Sequence, residues 1–333
     1  MEQLPSEIER EIVVLVDEST NPKYGTKPED REIAEHIENA VINLDKPKGP
    51  HSHQVTDSVK KIFKAKKAGH GGTLDPGVTG VLPVALNNAT KIMPSMLYSG
   101  KEYIGLMHLH GDVGEEEVKQ AMKKLLGTIT QLPPVRSHVK RVKRQRKVYY
   151  LEFLEKNERD VLFKAGVERG TYIRRLCEQI GDKVGVSGHM TELRRTKAGG
   201  FFEEGRLVTL QDLEDAYYFW QEEGNEKFLR YCLQPMENAI QHLPKIWVLD
   251  SAIDSICHGA MLAVPGVSKF EKPFSKKDLV AVMSLKNELV GLGHPLMDSK
   301  TLENSKKGMV LKTTRVTMKP GTYPKYSKEQ CNQ

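Results

Sequence analysis

The sequence predicts an α+β fold that ends in a small β-barrel. Three observations carry this expectation. Apolar spacings typical of strands and of helices alternate along the chain without a steady βαβ rhythm. VYYLEFLE and DVLFKAGVE, separated only by the polar KNER, read as a hairpin. From Lys245 onward, IWVLDSAIDSICHGAMLAVPGV and DLVAVMSLKNELVGLGHPL carry short apolar runs spaced by Gly and Pro, the pattern of a small barrel. At 333 residues the chain exceeds the usual size of one domain. A boundary is placed near Leu243-Pro244, giving an extension over 1–40, a main domain over 41–244 and a C-terminal domain over 245–325.

The elements follow in order. Residues 1–40 are acidic and hold turn formers in STNPKYGTKPED, so they read as an extension packed on the C-terminal domain. VINLD reads as a strand, and Val55, Val59, Ile62 and Phe63 fall at i, i+4, i+7 and i+8 of a helix, with Ser52 and Thr56 as candidate caps. After GHGGTLDPGVTG come the strand VLPVAL, a helix through Ile92 and Met96, and a strand from Tyr103 to Leu109. A helix follows with Val118, Met122, Leu125 and Leu126 on one face. GTYIRRLCEQIGDKVG enters a further helix. No solenoid repeat or low-complexity tract is visible.

Composition removes several classes of function. Hydrophobic residues make up 38% and charged residues 28%, as in folded soluble proteins. No apolar run approaches the roughly 20 residues of a membrane-spanning helix, and MEQLPSEIER lacks the basic and then apolar order of a secretory signal. An intracellular, water-soluble chain is expected. Cys177, Cys232, Cys257 and Cys331 show no CxxC spacing, so they read as scattered buried thiols and not as a zinc knuckle or disulfide framework.

Charge is distributed unevenly. Residues 1–40 hold eleven Asp and Glu against four Lys and Arg, so a net charge of +6 conceals a body of +13. Such a body suits contact with phosphates, and equally a merely soluble surface. Two clusters sharpen the first reading: VKKIFKAKK (59–67), with Lys60, Lys61 and Lys64, and RSHVKRVKRQRK (136–147), with Lys140, Arg141, Lys143, Arg144 and Arg146. The second has no apolar stripe and follows Pro133-Pro134, so it reads as an exposed loop or ribbon.

Asp75 is the first candidate for chemistry. Five glycines between Gly69 and Gly80 surround this carboxylate, and the backbone there is open to close approach by a ligand, although Asp-Pro among glycines is also an ordinary turn. The stretch lacks the GKS or GKT of a phosphate-binding loop. Tyr172 and Arg174 stand two apart, so in an extended segment they would face one side of a sheet, able to stack a base and hold a carboxylate; a core aromatic beside a surface arginine fits as well. Tyr103 has the same two readings. His108 and His110 share a strand face without a third ligand at a sensible spacing, so no metal site is expected.

Four ordered segments then resemble the motifs of TruB-type pseudouridine synthases: LDKPKGPHSHQVTDSVKK (44–61), AGHGGTLDPGVTGVLPVAL (68–86), KEYIGLMHLH (101–110), and GTYIRRL with HMTELRRTKAGGF (170–201). The acidic extension, LPPVRSHVKRVKRQRKVYYLE and a C-terminal segment similar to a PUA domain bring the likeness nearest to the archaeal dyskerin branch. HGAMLAVPGV (258–267) with DLVAVMSLKNELVGLG (278–293) carries the PUA likeness.

The resemblance implies a pseudouridine synthase fold, with a mixed, mainly antiparallel sheet flanked by helices, and an RNA-binding PUA domain. It implies cleavage of the N1–C1′ bond of uridine, rotation of the base and formation of C5–C1′, with no cofactor. One ionised carboxylate beside the ribose suffices as nucleophile or as stabiliser of an oxocarbenium ion. By resemblance that carboxylate is Asp75, Arg174 pairs with it and keeps it ionised in a dry pocket, and Tyr103 stacks on the base. Tyr172 and Leu193 line the pocket, and His70 lies near the flipped base. The basic run 136–147 aligns with a mobile loop that clamps substrate RNA, and Gly259, Ala260 and Gly266 lie in the PUA turn that cradles RNA. The dyskerin branch usually reads GHSGTLDPK, so Gly71 and Gly77 remove a hydroxyl and a lysine contact to RNA.

The implied partners are an H/ACA guide RNA, rRNA and tRNA substrates, a small zinc-ribbon-type nucleolar protein, a glycine-arginine-rich H/ACA protein and a kink-turn-binding ribosomal-type protein, with no membrane. The absence of a Lys-rich tail after Tyr323 favours an archaeal cytoplasmic setting over a nucleolar one. A stand-alone synthase for the T-loop uridine of tRNA and a non-catalytic RNA-binding scaffold are the alternatives.

Overall fold

The computed structural model describes residues 2–134 and 140–325. Its contacts divide the chain into two compact units. One comprises residues 1–7, 42–84 and 96–232, and the other residues 8–41, 85–95 and 233–333.

The first unit is built on a sheet with the order β2-β4-β9-β5-β8-β7-β6. In chain order its strands are β2 (Ala40–Lys46), β4 (Thr79–Leu86), β5 (Lys101–Leu109), β6 (Gly127–Gln131), β7 (Arg144–Asn157), β8 (Asp160–Val167) and β9 (Gly188–Ala198). β3 (Ala68–His70) pairs with β4 and β10 (Phe201–Phe202) with β9. β5 runs antiparallel to both β8 and β9, whereas β4 and β9 are parallel. The mixed, mainly antiparallel sheet is as expected. The hairpin of β7 and β8 is also as read, closing from Asn157 to Asp160.

Its helices are α2 (Ser52–Ile62), α3 (Glu115–Lys123), α4 (Ile173–Lys183), α5 (Leu210–Glu223) and α6 (Lys227–Cys232). The apolar faces of α3 and α4, through Val118, Met122, Ile173, Leu176 and Ile180, join Met107, Phe163 and Val167 of the sheet in one core. Full burial of each such side chain stabilises by about 1.5–3 kcal/mol.

Several expectations need correction. The N-cap of α2 is His51, whose backbone N–H donates to Gln54 Oε1 at 2.8 Å, and Ser52 is instead the first helical residue. α3 stops at Lys123, so Leu125 is buried just beyond it while Leu126 is exposed. The helix expected through Ile92 and Met96 is a 3₁₀ run, Asn87–Tyr98, in which Pro94 supplies no N–H. α5 was not legible at first reading. Thr209 Oγ1 accepts from the Asp212 N–H at 3.2 Å, Asp212 Oδ2 accepts from the Thr209 N–H at 2.8 Å, and Gly224 ends the helix at φ +68°.

The second unit holds a mixed seven-stranded sheet, order β1-β14-β12-β15-β16-β17-β13. These strands are β1 (Glu11–Val14), β12 (Lys245–Val248), β13 (Leu262–Ala263), β14 (Val267–Lys272), β15 (Val280–Met283), β16 (Leu289–Pro295) and β17 (Met309–Val316). Ile246, Val267, Phe270, Val282, Val290 and Val310 form its core with Ile253 of α7 (Asp250–Cys257) and Leu302 of α8 (Ser299–Glu303). β15 is buried at every position and β16 at all but one, so these short strands read as continuous apolar runs between turn residues.

The acidic extension contributes to this unit. β1 pairs antiparallel with β14, from Glu11↔Lys272 to Val14↔Lys269. Thr20 Oγ1 donates to Asp250, and Arg31 holds Glu237 in a buried ion pair at 2.7 Å. α1 (Ile33–Glu38) precedes Ala40 and Val41, which pair with Pro235 and Gln234 of β11 (Gln234–Pro235). Cys177, Cys232 and Cys257 are free and buried, while Cys331 lies outside the described residues.

Candidate active site

Asp75 sits in a turn whose backbone is tied down from several directions. Val78 N–H donates to the Asp75 carbonyl at 3.0 Å, and Gly49 N–H donates to the Pro76 carbonyl at 2.8 Å. Ser52 Oγ both donates to the Leu74 carbonyl, at 2.9 Å, and accepts from the Leu74 N–H, at 2.8 Å. Lys46, fully buried at the end of β2, points its ammonium at the carbonyls of Val78 (2.9 Å) and Pro76 (3.4 Å). Burial lowers the Lys46 pKa from its ordinary value, with Asp75 opposing and Arg195 adding to the shift.

Arg174 is brought to this loop by α4, 99 residues away in sequence. Its Nη2 lies 3.2 Å from Asp75 Oδ2. The two side chains are 51% and 64% exposed, so the dry pocket expected around the pair is not formed by the chain itself. An ion pair so solvated contributes little to stability. Its value lies in geometry. Arg174 does not share a sheet face with Tyr172 either. Tyr172 is the N-cap of α4, with Arg174 one residue into the helix, because Gln131 of β6 accepts from the Tyr172 N–H (2.9 Å) and donates to its carbonyl (3.2 Å).

Tyr103 and Leu193 lie on the adjacent strands β5 and β9, half-buried against the main core. Directly across from Tyr103 stands Arg195. Arg195 is fully buried and donates through Nε to the Val81 carbonyl (2.7 Å) and through Nη2 to the Gly72 carbonyl (3.2 Å). Burial depresses its pKa, and the neighbouring Tyr103 works against that shift. His70 ends β3, where burial, Arg195 and His53 together push its pKa below the ordinary value and leave it neutral at pH 7. Lys101 is a further buried cation. Its Nζ donates to the Met96 carbonyl at 2.8 Å, and burial with Arg195 and Arg169 lowers its pKa to about 7.

Lys46, Lys101 and Arg195 carry no mark in the sequence, and Ser52 reads there only as a helix cap. The Lys46-Pro47 dipeptide just ahead of α2 was visible, but nothing local marks a lysine as buried. His108 of β5 and His110, just beyond it, also gain a companion. His189 of β9 stands across from His108, and its Nδ1 lies 2.8 Å from His110 Nε2. Among the described residues no group of three or more His, Cys, Asp or Glu is arranged to hold a metal ion.

The residues expected to meet RNA fall on separate features. Lys60, Lys61 and Lys64 are exposed at and just beyond the C-terminal end of α2. Lys140, Arg141 and Lys143 are exposed, whereas Arg144 and Arg146 open β7 opposite Gln131 and Ile129 of β6. Arg136 lies outside the described residues. In the second unit Gly259, at φ +90°, has open space where a side chain would stand, and Ala260 is exposed. Gly266 differs: a Cβ there would lie 3.0 Å from the Ala252 Cβ, so the glycine packs closely on α7.

Family comparison bears on this arrangement. Residues 60–173 match the N-terminal domain of the TruB family of pseudouridylate synthases, and residues 174–241 match the C-terminal domain of tRNA pseudouridylate synthase B. Residues 244–317 match the PUA domain and residues 2–56 the DKCLD domain. The probable tRNA pseudouridine synthase B of Pyrococcus abyssi is 53% identical over 97% of both chains. The chain belongs to the TruB family.

The likeness extends to solved TruB-family structures. A crystal structure of a Cbf5-Nop10-Gar1 complex matches with a TM-score of 0.94 at 53% identity, covering 97% of this chain and 99% of that one. A structure of an H/ACA RNP bound to a substrate RNA containing 2′-deoxyuridine matches with a TM-score of 0.91 at 51% identity, covering 98% and 100%. This TruB-family member is an RNA pseudouridine synthase, an isomerase.

Proposed function

We propose that the chain converts uridine to pseudouridine in RNA as the catalytic subunit of an H/ACA guide ribonucleoprotein acting on rRNA in the archaeal cytoplasm. The observation that carries the site assignment is the Asp75–Arg174 contact, made across 99 residues inside a loop whose every carbonyl from Leu74 to Val78, Gly77 aside, has a partner. In this reading Asp75 engages C1′ as N1–C1′ breaks, and the base turns and rejoins through C5. The proton leaves C5 and N1 gains one, so atoms balance without a cofactor. Arg174 orients the carboxylate, Tyr103 supports the base, and neutral His70, Tyr172 and Leu193 border the flipped nucleotide. Bound RNA then supplies the cover that the open ion pair lacks.

The partners are a guide RNA and the proteins that accompany relatives, Nop10 and Gar1 in the complexes solved, with a kink-turn-binding protein as the third. PUA residues near Gly259 and Ala260 engage a guide RNA end, and the lysines of α2 and the basic run engage phosphates. The alternative, independent action on tRNA, rests on the naming of the relatives as tRNA pseudouridine synthase B. Tritium release from C5-labelled uridine tests both. Asp75→Asn is expected to abolish release while RNA affinity changes less than threefold, and residual turnover within tenfold of wild type overturns the assignment. Release from rRNA that requires guide RNA supports the guided reading, whereas unguided release from tRNA alone favours the second.

A further inference from the structure

Arg195 is wholly enclosed, bonded to the loop that carries Asp75 and paired across the sheet with Tyr103, yet none of the roles above uses it. On β9 its Cα pairs with Tyr103 of β5 on one side and with Gly80 of β4 on the other. Its guanidinium holds the carbonyls of Gly72 and Val81, which flank Asp75 on the two sides of the loop, and Tyr103 stands directly across from it on β5. One side chain thereby links the start of the carboxylate's loop, the strand that leaves it and the aromatic residue opposite.

The cost of this placement argues for a use. A buried guanidinium that donates to backbone carbonyls gives up hydration that neutral oxygens only partly restore. A position needing only packing volume is filled at less cost by an apolar side chain. Arginine carries five donors in a rigid planar fork, so it fixes the directions in which it holds its carbonyls, where a lysine ammonium is a compact point charge on a flexible stem. We propose that Arg195 is a positioning residue for the isomerisation, setting the distance between the Asp75 carboxylate and the Tyr103 ring. This rests on the assignment of Asp75 and Tyr103 above.

The experiment compares the full-length wild type, Asp75→Asn, Arg195→Lys and Arg195→Ala in one tritium-release assay, in the guide-assembled complex, with thermal melting alongside. Arg195→Lys is expected to lower kcat at least tenfold, with KM within threefold and the melting midpoint within a few degrees. Misplaced reacting groups reduce turnover without weakening RNA contacts. In Arg195→Ala, millimolar methylguanidine is expected to restore kcat at least tenfold, where methylamine at equal ionic strength does not. If Arg195→Ala does not fold, Arg195→Lys alone decides. The proposal fails if Arg195→Lys turns over within threefold of wild type, if its loss lies entirely in KM, or if the loss only tracks the unfolded fraction. Wild-type-like release by Asp75→Asn instead overturns the site assignment, and this inference with it.

Discussion

Lys101 shows how a single buried charge makes stability depend on pH. Its ammonium is enclosed and reaches only carbonyls, and burial holds its pKa at about 7 in the folded chain against 10.5 for the ordinary side chain. Between pH 7 and 10.5 the unfolded chain therefore binds more protons than the folded one, so stability rises with pH from this group, by about 1.4 kcal/mol per unit. Below pH 7 the penalty is complete and constant. The buried thiols act in the opposite sense, because burial raises Cys177 and Cys232 to about 12 and Cys257 to about 11, so they remove stability above pH 9. The window from pH 7 to 9 excludes the thiols, and Lys46, also lowered by burial, is common to wild type and variant. Chemical denaturation across it should show a positive slope in wild type and a flatter one in Lys101→Met; equal slopes would mean that Lys101 titrates normally.

At the level of the element, the loop from Gly69 to Gly80 uses its glycines unequally. Gly80 sits at φ +100°, where a Cβ would collide with the Arg195 carbonyl, so the parallel approach of β4 to β9 depends on it. Gly71 faces Met96, with a Cβ 3.3 Å from the Met96 Cβ. Gly77 has nothing within 4 Å and an ordinary backbone. The two departures from GHSGTLDPK are thus different in kind. Gly77→Lys should leave the melting midpoint within a degree or two and steepen the salt dependence of RNA binding by about 0.7–0.9 in the log–log slope, one phosphate contact. A slope equal to that of wild type, measured by filter binding from 50 to 300 mM salt, would show that position 77 does not face RNA.

For the whole molecule, the division into compact units governs how RNA recognition can be tested. Residues 233–325 share their unit with 8–41 and 85–95, so truncation at 244 would strip Leu233, Met236 and Ile240 of their surroundings and confound binding with unfolding. Exposed substitutions avoid this. Ala260→Asp places a negative charge beside the open space at Gly259, and it should reduce the preference for an ACA tail over a scrambled tail at least tenfold. Replacing Lys60, Lys61 and Lys64 together with Gln should instead weaken both RNAs alike and lower the salt slope by about 2–3. If Ala260→Asp keeps the full ACA preference, the turn at Gly259 does not read the tail.

The sequence by itself determined the local structure and the ordered motifs. The apolar periods of α2 and α4 and the alternation along β5, β7 and β8 were legible because each depends on neighbours a few residues away. Asp75 in its glycine-rich turn was legible for the same reason, and the likeness in four ordered segments pointed from there to Arg174 and Tyr103. The capping box of α5 was present in the letters but unmarked by any strong apolar stripe. Tertiary structure alone decided which side chains meet. The buried cations Lys46, Lys101 and Arg195 look like any surface lysine or arginine in sequence, because burial is a property of what packs around a residue. Tyr172 became a helix cap because of Gln131, 41 residues earlier, and His189 came beside His110 only through the register of β5 with β9. Contacts across 41, 79, 92 or 99 positions are set by strand pairing and core packing, which local spacing does not encode.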